Sequence, residues 1–314
     1  MTNINYKNIN FSYGKLPILN DISFSVAEGQ CCALIGHNGA GKTTLIKLLL
    51  GMIKPDAGSV SLCQFNPIGK NEKKIKRQIG FVPESINFQP NYTGLELMKY
   101  VAKLKKASAD DIQDKLKLTN IQFAQHKKIG EYSKGMKQRL GLAQAMLGDP
   151  KVLILDEPAS GLDPDSRQIL YRSLQAHARA GNTVMFSSHA LNDIESYIDH
   201  IILLNQGDVL MDCSIHQYRG SLKLPVTIEI QTHKADADFY DALQQFGAVD
   251  YKDEIAHVEV EHNQKMAALA FISASRYVTD LRLLDASLEK IYHELLINES
   301  KKENKKDKVS EAQI

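Results

Sequence analysis

A chain of 314 residues is long enough for about two domains. Its 38 basic residues stand against 37 acidic ones, a balance that argues against a nucleic-acid partner, since that class carries a basic excess. The four cysteines (Cys31, Cys32, Cys63, Cys213) form no C-x-x-C pair and fit a reducing compartment. No apolar run approaches the ~20 residues of a membrane span.

Met1-Thr2-Asn3-Ile4-Asn5 lacks the apolar core of a signal peptide. From Ile4 to Val26 apolar and polar residues alternate around turns expected at Tyr13-Gly14 and Leu19-Asn20, the pattern of an antiparallel hairpin region. Tyr13 has two readings: a ring that stacks on a base, or a half-buried tyrosine at a strand end. Next, Cys31-Cys32-Ala33-Leu34-Ile35 reads as a buried strand and Leu45 to Leu50 as an apolar helix. Between them lies Gly36-His37-Asn38-Gly39-Ala40-Gly41-Lys42-Thr43-Thr44, which fits G-x-x-x-x-G-K-[ST]. Backbone N–H groups of such a loop, at a helix N-terminus, cradle nucleotide phosphates. Lys42 can reach the β- and γ-phosphates, and Thr43 can ligate a bridging magnesium ion. The pattern points to ATP or GTP.

Gly51 to Gly58 is a helix stop followed by a turn, and the charged run Lys70 to Arg77 is a solvated helix face. A short strand, Ile79 to Val82, ends at Pro83-Glu84. Residues 85–135 then leave the strand–helix rhythm. Leu95, Met98, Tyr100, Val101 and Leu104 recur at helical spacing, as do Ile112, Leu116 and Leu118, so this is a mostly helical insert. Ser133-Lys134-Gly135 opens a second helix whose free N–H groups offer another anion seat. Val152 to Leu155 reads as a fully buried strand ending in Asp156-Glu157, where ligands of doubly wound sheets gather. That places Asp156 to hold magnesium and Glu157 to orient or deprotonate an attacking water. Gly161-Leu162-Asp163-Pro164 turns the chain into another helix, and the strand Thr183 to Phe186 ends at Ser187-Ser188-His189. His189 then falls where a γ-phosphate lies.

These motifs, in this order, resemble those of the ATP-binding subunits of ABC transporters over about residues 1–220. The resemblance makes Tyr13 the adenine-stacking aromatic, Tyr132 to Met136 the signature motif, Ser160-Gly161-Leu162-Asp163 the dimer-contact loop and His189 the switch histidine. It implies an α/β fold: a phosphate-loop ATPase domain with a mostly parallel core sheet, an antiparallel β subdomain and the helical insert. It also implies ATP and Mg2+ as cofactors, and a homodimer in which each ATP lies between one copy's phosphate loop and the other's Ser133 and Gly135. A polytopic membrane subunit would dock on the helical insert, placing this chain peripherally at the cytoplasmic face of the inner membrane. Three positions depart from the family pattern. Glu84 stands where a glutamine usually meets magnesium, and Lys134 and Met136 replace a glycine and a glutamine of the signature. Stretches 36–41, 83–88 and 132–144 are further similar to the ATPases of nitrous-oxide-reductase maturation, which work with a membrane subunit and a periplasmic partner. Exporter ATPases of the ABC-2 type share parts of them.

After Gly220 the pattern changes. Val226 to Ile230 alternates as a strand; Phe239, Leu243 and Phe246 give one helix face; further strands are expected near 249–251, 256–261 and 278–284, with a helix over 266–273. The order β-α-β-β-α-β is that of a ferredoxin-like unit. A last helix over 286–298 and a disordered tail over 299–314 complete the chain, giving domains at 1–220 and 221–298. No cysteine lies beyond Cys213, and His233, His257, His262 and His293 show no ligand spacing. A dimerisation or regulatory role is therefore expected for this unit, rather than metal carriage. Two rival functions are weaker. A soluble ATPase acting on ribosomes or DNA usually carries tandem ATPase domains or a coiled-coil insert. A phosphate-loop kinase or GTPase is disfavoured by the Ser133–Gly135 motif, and the one Asn-Lys-x-Asp match, Asn304-Lys305-Lys306-Asp307, falls in the charged tail rather than after a strand.

Overall fold

A computed structural model describes residues 2–68, 75–189, 194–215, 217 and 225–284. The chain divides into two compact units, residues 1–215 and 216–314. The first contains two sheets. Strands β1 (Thr2–Tyr13), β2 (Leu16–Ala27) and β4 (Ala57–Leu62) form an antiparallel sheet in the order β2-β1-β4. The second sheet is built from β3 (Cys31–Ile35), β5 (Ile79–Val82), β6 (Val152–Leu155), β7 (Thr183–Ser188), β8 (His200–Asn205) and β9 (Asp208–Ser214). Its order is β5-β6-β7-β3-β8-β9, parallel except for β9. Every residue of β3, β6 and β7 is buried, which is why β3 and β6 read as unbroken apolar runs rather than alternating ones.

The first hairpin differs from its expectation at one place. Leu19-Asn20 is not a turn: it lies inside β2, where Leu19 is buried opposite Phe11 and the Asn20 N–H donates to the Gly207 carbonyl at 2.9 Å. Both strands are therefore twelve residues long, and register shifts between Tyr6 and Ser12 absorb the polar residues that look like a break. Strand β4 was hidden behind the expected turn at Gly51–Gly58; it pairs with β1 and buries only Val60 and Leu62. Of the charged run at 70–77, only Ile75–Arg77 lie within the described residues, and Ile75 is buried.

The helices of this unit are α1 (Lys42–Leu49), α2 (Gly94–Lys105), α3 (Ala109–Leu118), α4 (Lys134–Met146) and α5 (Pro164–Arg179). The insert packs α2, α3 and α4 around Met98, Ala102, Ile112, Leu116, Leu140 and Ala143. Thr93 and Glu96 start α2 with a reciprocal capping box, and Ser108 caps α3. Tyr100 and Leu104 share the helical spacing of Leu95, Met98 and Val101, yet they are 66% and 68% exposed. Helix α2 buries Met98 and Ala102, a narrower stripe than a five-residue pattern suggests.

The second unit has strands β10 (Val226–Thr232), β11 (Gly247–Lys252), β12 (Ile255–Val260) and β13 (Val278–Leu284) with helices α6 (Ala237–Leu243) and α7 (Lys265–Ser273). All neighbours in the order β11-β12-β10-β13 are antiparallel. With its β-α-β-β-α-β sequence this is the ferredoxin-like arrangement. Its core packs Ile228, Ile230, Val258 and Val260 against Phe239, Leu243, Ala268 and Ile272. The helix expected at 286–298 and the tail lie outside the described residues.

Candidate nucleotide site

The site begins where β3 ends. Fully buried Cys31–Ile35 runs up the middle of the sheet, and the chain leaves it through Gly36–Gly41 into α1. Gly41 is the N-cap of α1 at φ 107°, and a Cβ there would come within 2.6 Å of Leu19 Cδ2. A larger residue would therefore be strained twice, in backbone and in packing. Gly36 lies against the Leu204 carbonyl, and Ala40 is buried beneath the loop. His37 is held by the Asn205 side chain at 3.0 Å. The Lys42 ammonium donates to the carbonyls of Gly36 (2.6 Å) and His37 (3.2 Å).

Strand β6 lies two places from β3, with β7 between them. The carboxylate at its end, Asp156, accepts from Thr43 Oγ1 at 3.0 Å and from Ser187 Oγ at 2.7 Å. Its own N–H donates to the Val82 carbonyl, so the group is fixed from β5, β7 and α1 together. Glu157 follows at φ 43°, a left-handed conformation that side chains rarely adopt. Its N–H donates to Ser187 Oγ at 2.7 Å. One carboxylate oxygen lies 3.2 Å from Lys42 Nζ and the other 2.8 Å from His189 Nδ1. The Lys42 contact is an ion pair without hydrogen-bond alignment, since Oε1 has no hydrogen-bond partner. The strained backbone at Glu157 thus aims its carboxylate between the lysine of one motif and the histidine of another.

These groups surround a hollow of about 340 Å3 lined by Ile18, His37, Asn38, Gly39, Gly41, Lys42, Thr43, Thr44, Glu84, Glu157, Ser160 and His189. Residues named separately along the sequence converge on it: the loop, Glu84 after β5, Glu157 after β6, Ser160 and His189 after β7. The hydroxyl of Thr43 and the carboxylate of Asp156 form a hard oxygen donor pair of the kind magnesium takes, and Glu84 adds a second carboxylate to the set.

The other candidates lie elsewhere. Ser133 caps α4, its hydroxyl accepting from the Met136 N–H at 3.2 Å. A Cβ at Gly135 would come 2.7 Å from Ser166 Oγ, so only glycine lets α4 meet the start of α5 this closely. Lys134 Nζ lies over Gly161, and Asp163 caps α5. The hydrogen bond from the Ser166 N–H holds the Asp163 carboxyl below the usual carboxylate range. Ser133, Gly135, Gly161, Leu162 and Asp163 therefore share one neighbourhood, and none of them lines the hollow. Tyr13, at the end of β1, is 47% exposed with its ring edge-on to Phe11, and it too is outside the lining. Sequence reasoning passed over Ser187, which bridges the carboxylate of Asp156 and the backbone of Glu157. A hydroxyl at the end of an otherwise apolar strand was its signal.

A larger hollow of about 800 Å3 sits between residues 81–89 and α2, with Tyr92, Tyr100 and Leu104 on its wall. It holds none of the phosphate-loop residues.

Residues 19–160 match the family model described as ABC transporter. Over 217 residues the chain is 35% identical to the Nod factor export ATP-binding protein I of Burkholderia orbicola (strain AU 1054), covering 68% of this chain and 71% of that one. The chain belongs to the ATP-binding subunits of ABC transporters. It is also 40% identical over 206 residues to the uncharacterized ABC transporter ATP-binding protein YxlF of Bacillus subtilis (strain 168), covering 63% of this chain and 66% of that one. A solved ATP-binding subunit of an ABC transporter superposes with a TM-score of 0.63 at 28% identity, over 70% of this chain and 92% of that one. As a member, this chain is an ATPase of the phosphate-loop ABC fold. ABC subunits of this kind bind ATP or ADP and work as dimers with membrane subunits. Among the described residues no helix is long and apolar enough to cross a membrane.

Proposed function

We propose that two copies of this ABC subunit close head to tail over two ATP molecules and drive a separate membrane subunit by hydrolysing them. The observation that carries this reading is the convergence of Lys42, Thr43, Glu84, Glu157, Ser160 and His189 on one hollow. Loop N–H groups from Gly36 to Thr44, with His37, Asn38, Gly39, Ala40 and Gly41 between them, take the phosphates at the start of α1. Lys42 neutralises the β- and γ-phosphates. Thr43, Asp156 and Glu84 are the residues that would hold Mg2+, which would supply charge neutralisation on the phosphates. Glu157 accepts the proton of the attacking water, and His189, hydrogen-bonded to it, orients that carboxylate and meets the γ-phosphate. Tyr13 stacks on the adenine. Ser133 and Gly135, standing apart from the hollow, serve the other copy's nucleotide, and Ser160 to Asp163 line the contact between copies. This division explains why a complete set of motifs leaves the signature outside its own site.

On this reading the groove walled by Tyr92, Tyr100 and Leu104 seats the membrane subunit on the helical insert, and the chain sits peripherally at the cytoplasmic face of the inner membrane. The segment after β5 supports that coupling, because Glu84 lines the nucleotide hollow while Ser85 and Ile86 line the groove.

For the cargo, the finer reading is a NosF-like ATPase in maturation of the copper–sulfur centres of nitrous oxide reductase, with NosY-like membrane and NosD-like periplasmic partners. It rests on the likeness of stretches 36–41, 83–88 and 132–144. The 35% likeness to Nod factor export proteins favours a second reading, another exporter of the ABC-2 type. Deleting the gene separates them: the first reading expects nitrous oxide reductase lacking its copper–sulfur centre, the second a reductase unchanged. The shared ATPase reading is tested by Glu157→Gln, expected to keep ATP binding and lower turnover at least about a hundredfold. Turnover at the wild-type rate would remove Glu157 from the mechanism.

A further inference from the structure

The open face of the second unit's sheet carries an ordered set of charges. Register places Asp250 opposite His257, His257 opposite Glu229, and Glu229 opposite Arg282, so one row crosses β11, β12, β10 and β13 with acidic and basic residues alternating. Within the row His257 Nε2 lies 3.3 Å from Glu229, and Arg282 lies 3.9 Å from the other oxygen of Glu229. Two residues along the strands, Lys252 on β11 and Asp280 on β13 end a second row with the same opposition. Most apolar residues of these strands point the other way, into the core under α6 and α7; Ile255 and Leu284 share the open face with the charges. The charged side chains stay open: Arg282 is 70% and Asp280 56% exposed.

We infer that this face docks on the same face of a second copy, about a twofold axis parallel to the strands. That axis exchanges the outer strands and the inner strands while keeping each row in place. Asp250 then meets Arg282 of the other copy, Lys252 meets Asp280, and His257 meets Glu229, each pair formed twice. A twofold axis perpendicular to the strands instead sets each strand across from its own copy. Through a row it opposes like charges such as Asp250 on Asp250. Midway between the rows it pairs Asp250 with Lys252 and Arg282 with Asp280 but leaves His257 facing Ile255 and Glu229 facing Gln231. One axis satisfies all six groups and the other does not. This self-complementarity singles out a second copy as the occupant.

Four strands spaced by about 4.8 Å and six residues of about 3.3 Å give a footprint of roughly 380 Å2 per copy. That is about half of what a standard stable interface covers per partner. By itself the face therefore gives weak, salt-sensitive pairing. Its effect is larger in a dimer already joined elsewhere, where the second contact is intramolecular. The contact is independent of nucleotide and adds to the site reading above, on which it does not rest.

The test is sedimentation of the full chain without nucleotide, at low salt, over a concentration series. Wild-type is expected to self-associate weakly. Asp250→Arg and Arg282→Asp are each expected to raise the dissociation constant about tenfold or more, because each sets two like charges face to face. The double exchange restores both pairs and is expected to return to within about threefold of wild-type. Unchanged melting temperatures of the single variants exclude a folding defect. A wild-type chain that stays monomeric, single variants that associate like wild-type, or a double variant no better than the singles would each overturn the proposal. Ser133→Phe, which blocks the nucleotide contact, must leave this series unchanged, so failure of the two readings is told apart.

Discussion

Ser187 does most at the site for a residue with no motif of its own. It receives the Glu157 N–H and donates to Asp156, so it holds one carboxylate in place and the backbone of the next. Ser187→Ala leaves a buried N–H and a carboxylate oxygen short of a partner, a loss of about 1–3 kcal/mol. Urea unfolding is expected to show this loss, and steady-state kinetics a lower kcat with little change in the KM for ATP. A kcat equal to wild-type would mean that Glu157 is positioned by its strained backbone alone. Lys42→Ala acts one step earlier and is expected to weaken nucleotide binding itself, as a fluorescent-nucleotide titration would show. The loop, Asp156, Glu157 and His189 were legible because each sits next to an unmistakable local pattern. Ser187 was not, because its role exists only once β7 lies beside β6, and no local pattern states sheet order. His177 shows the same limit in the core. It is buried with Nε2 3.2 Å from the Pro150 carbonyl, and burial lowers its pKa below the ordinary histidine value. As pH falls through that ordinary value the unfolded chain takes up a proton that the folded one refuses, so stability declines and levels off below the lowered folded value. Thermal melts from pH 7.5 to about 5 should show a smaller decline in His177→Gln, which keeps an N–H donor without the charge.

At the scale of elements, α4 links the two halves of the ATPase unit. Its N-terminus carries Ser133 and Gly135, and at its other end the Lys105 ammonium donates to the carbonyls of Gln144, Ala145 and Leu147. Burial lowers the Lys105 pKa, yet three acceptors and the negative end of the helix hold the charge in place. Lys105→Met keeps the apolar stem and removes the cap; it is expected to cost about 1–3 kcal/mol. A shift of the urea midpoint with an unchanged slope would report that loss, and an unchanged midpoint would mean that solvent caps the helix equally well. The insert also shows where periodicity misleads. Tyr100 and Leu104 fit the spacing of a buried stripe but wall an open groove, and an unfilled apolar face has the same sequence pattern as a filled one. Similarly, the polar Asn20 suggests a turn in β2, whereas its N–H is satisfied by Gly207, 187 positions later in the chain.

For the whole molecule, the order of elements was readable and their assembly into one hollow followed from it, because parallel strands deliver their C-terminal ends to the same edge. The ferredoxin-like order of the second unit was readable too, from period-two strands and two helical stripes. The use of its open face was not, since alternating charges on a strand describe any solvated surface until register aligns them across four strands. The central claim concerns two copies: each site is made from the phosphate loop of one and Ser133 of the other. The most direct measurement is ATP retained after rapid filtration, in a Glu157→Gln background, by two variants mixed together. One carries Lys42→Ala, the other Ser133→Phe. Alone, neither variant can form a complete site, and neither is expected to retain ATP. The mixture contains dimers in which an intact loop faces an intact signature, and it is expected to retain about one ATP per mixed dimer. Retention by the mixture no greater than by either variant alone would contradict the account.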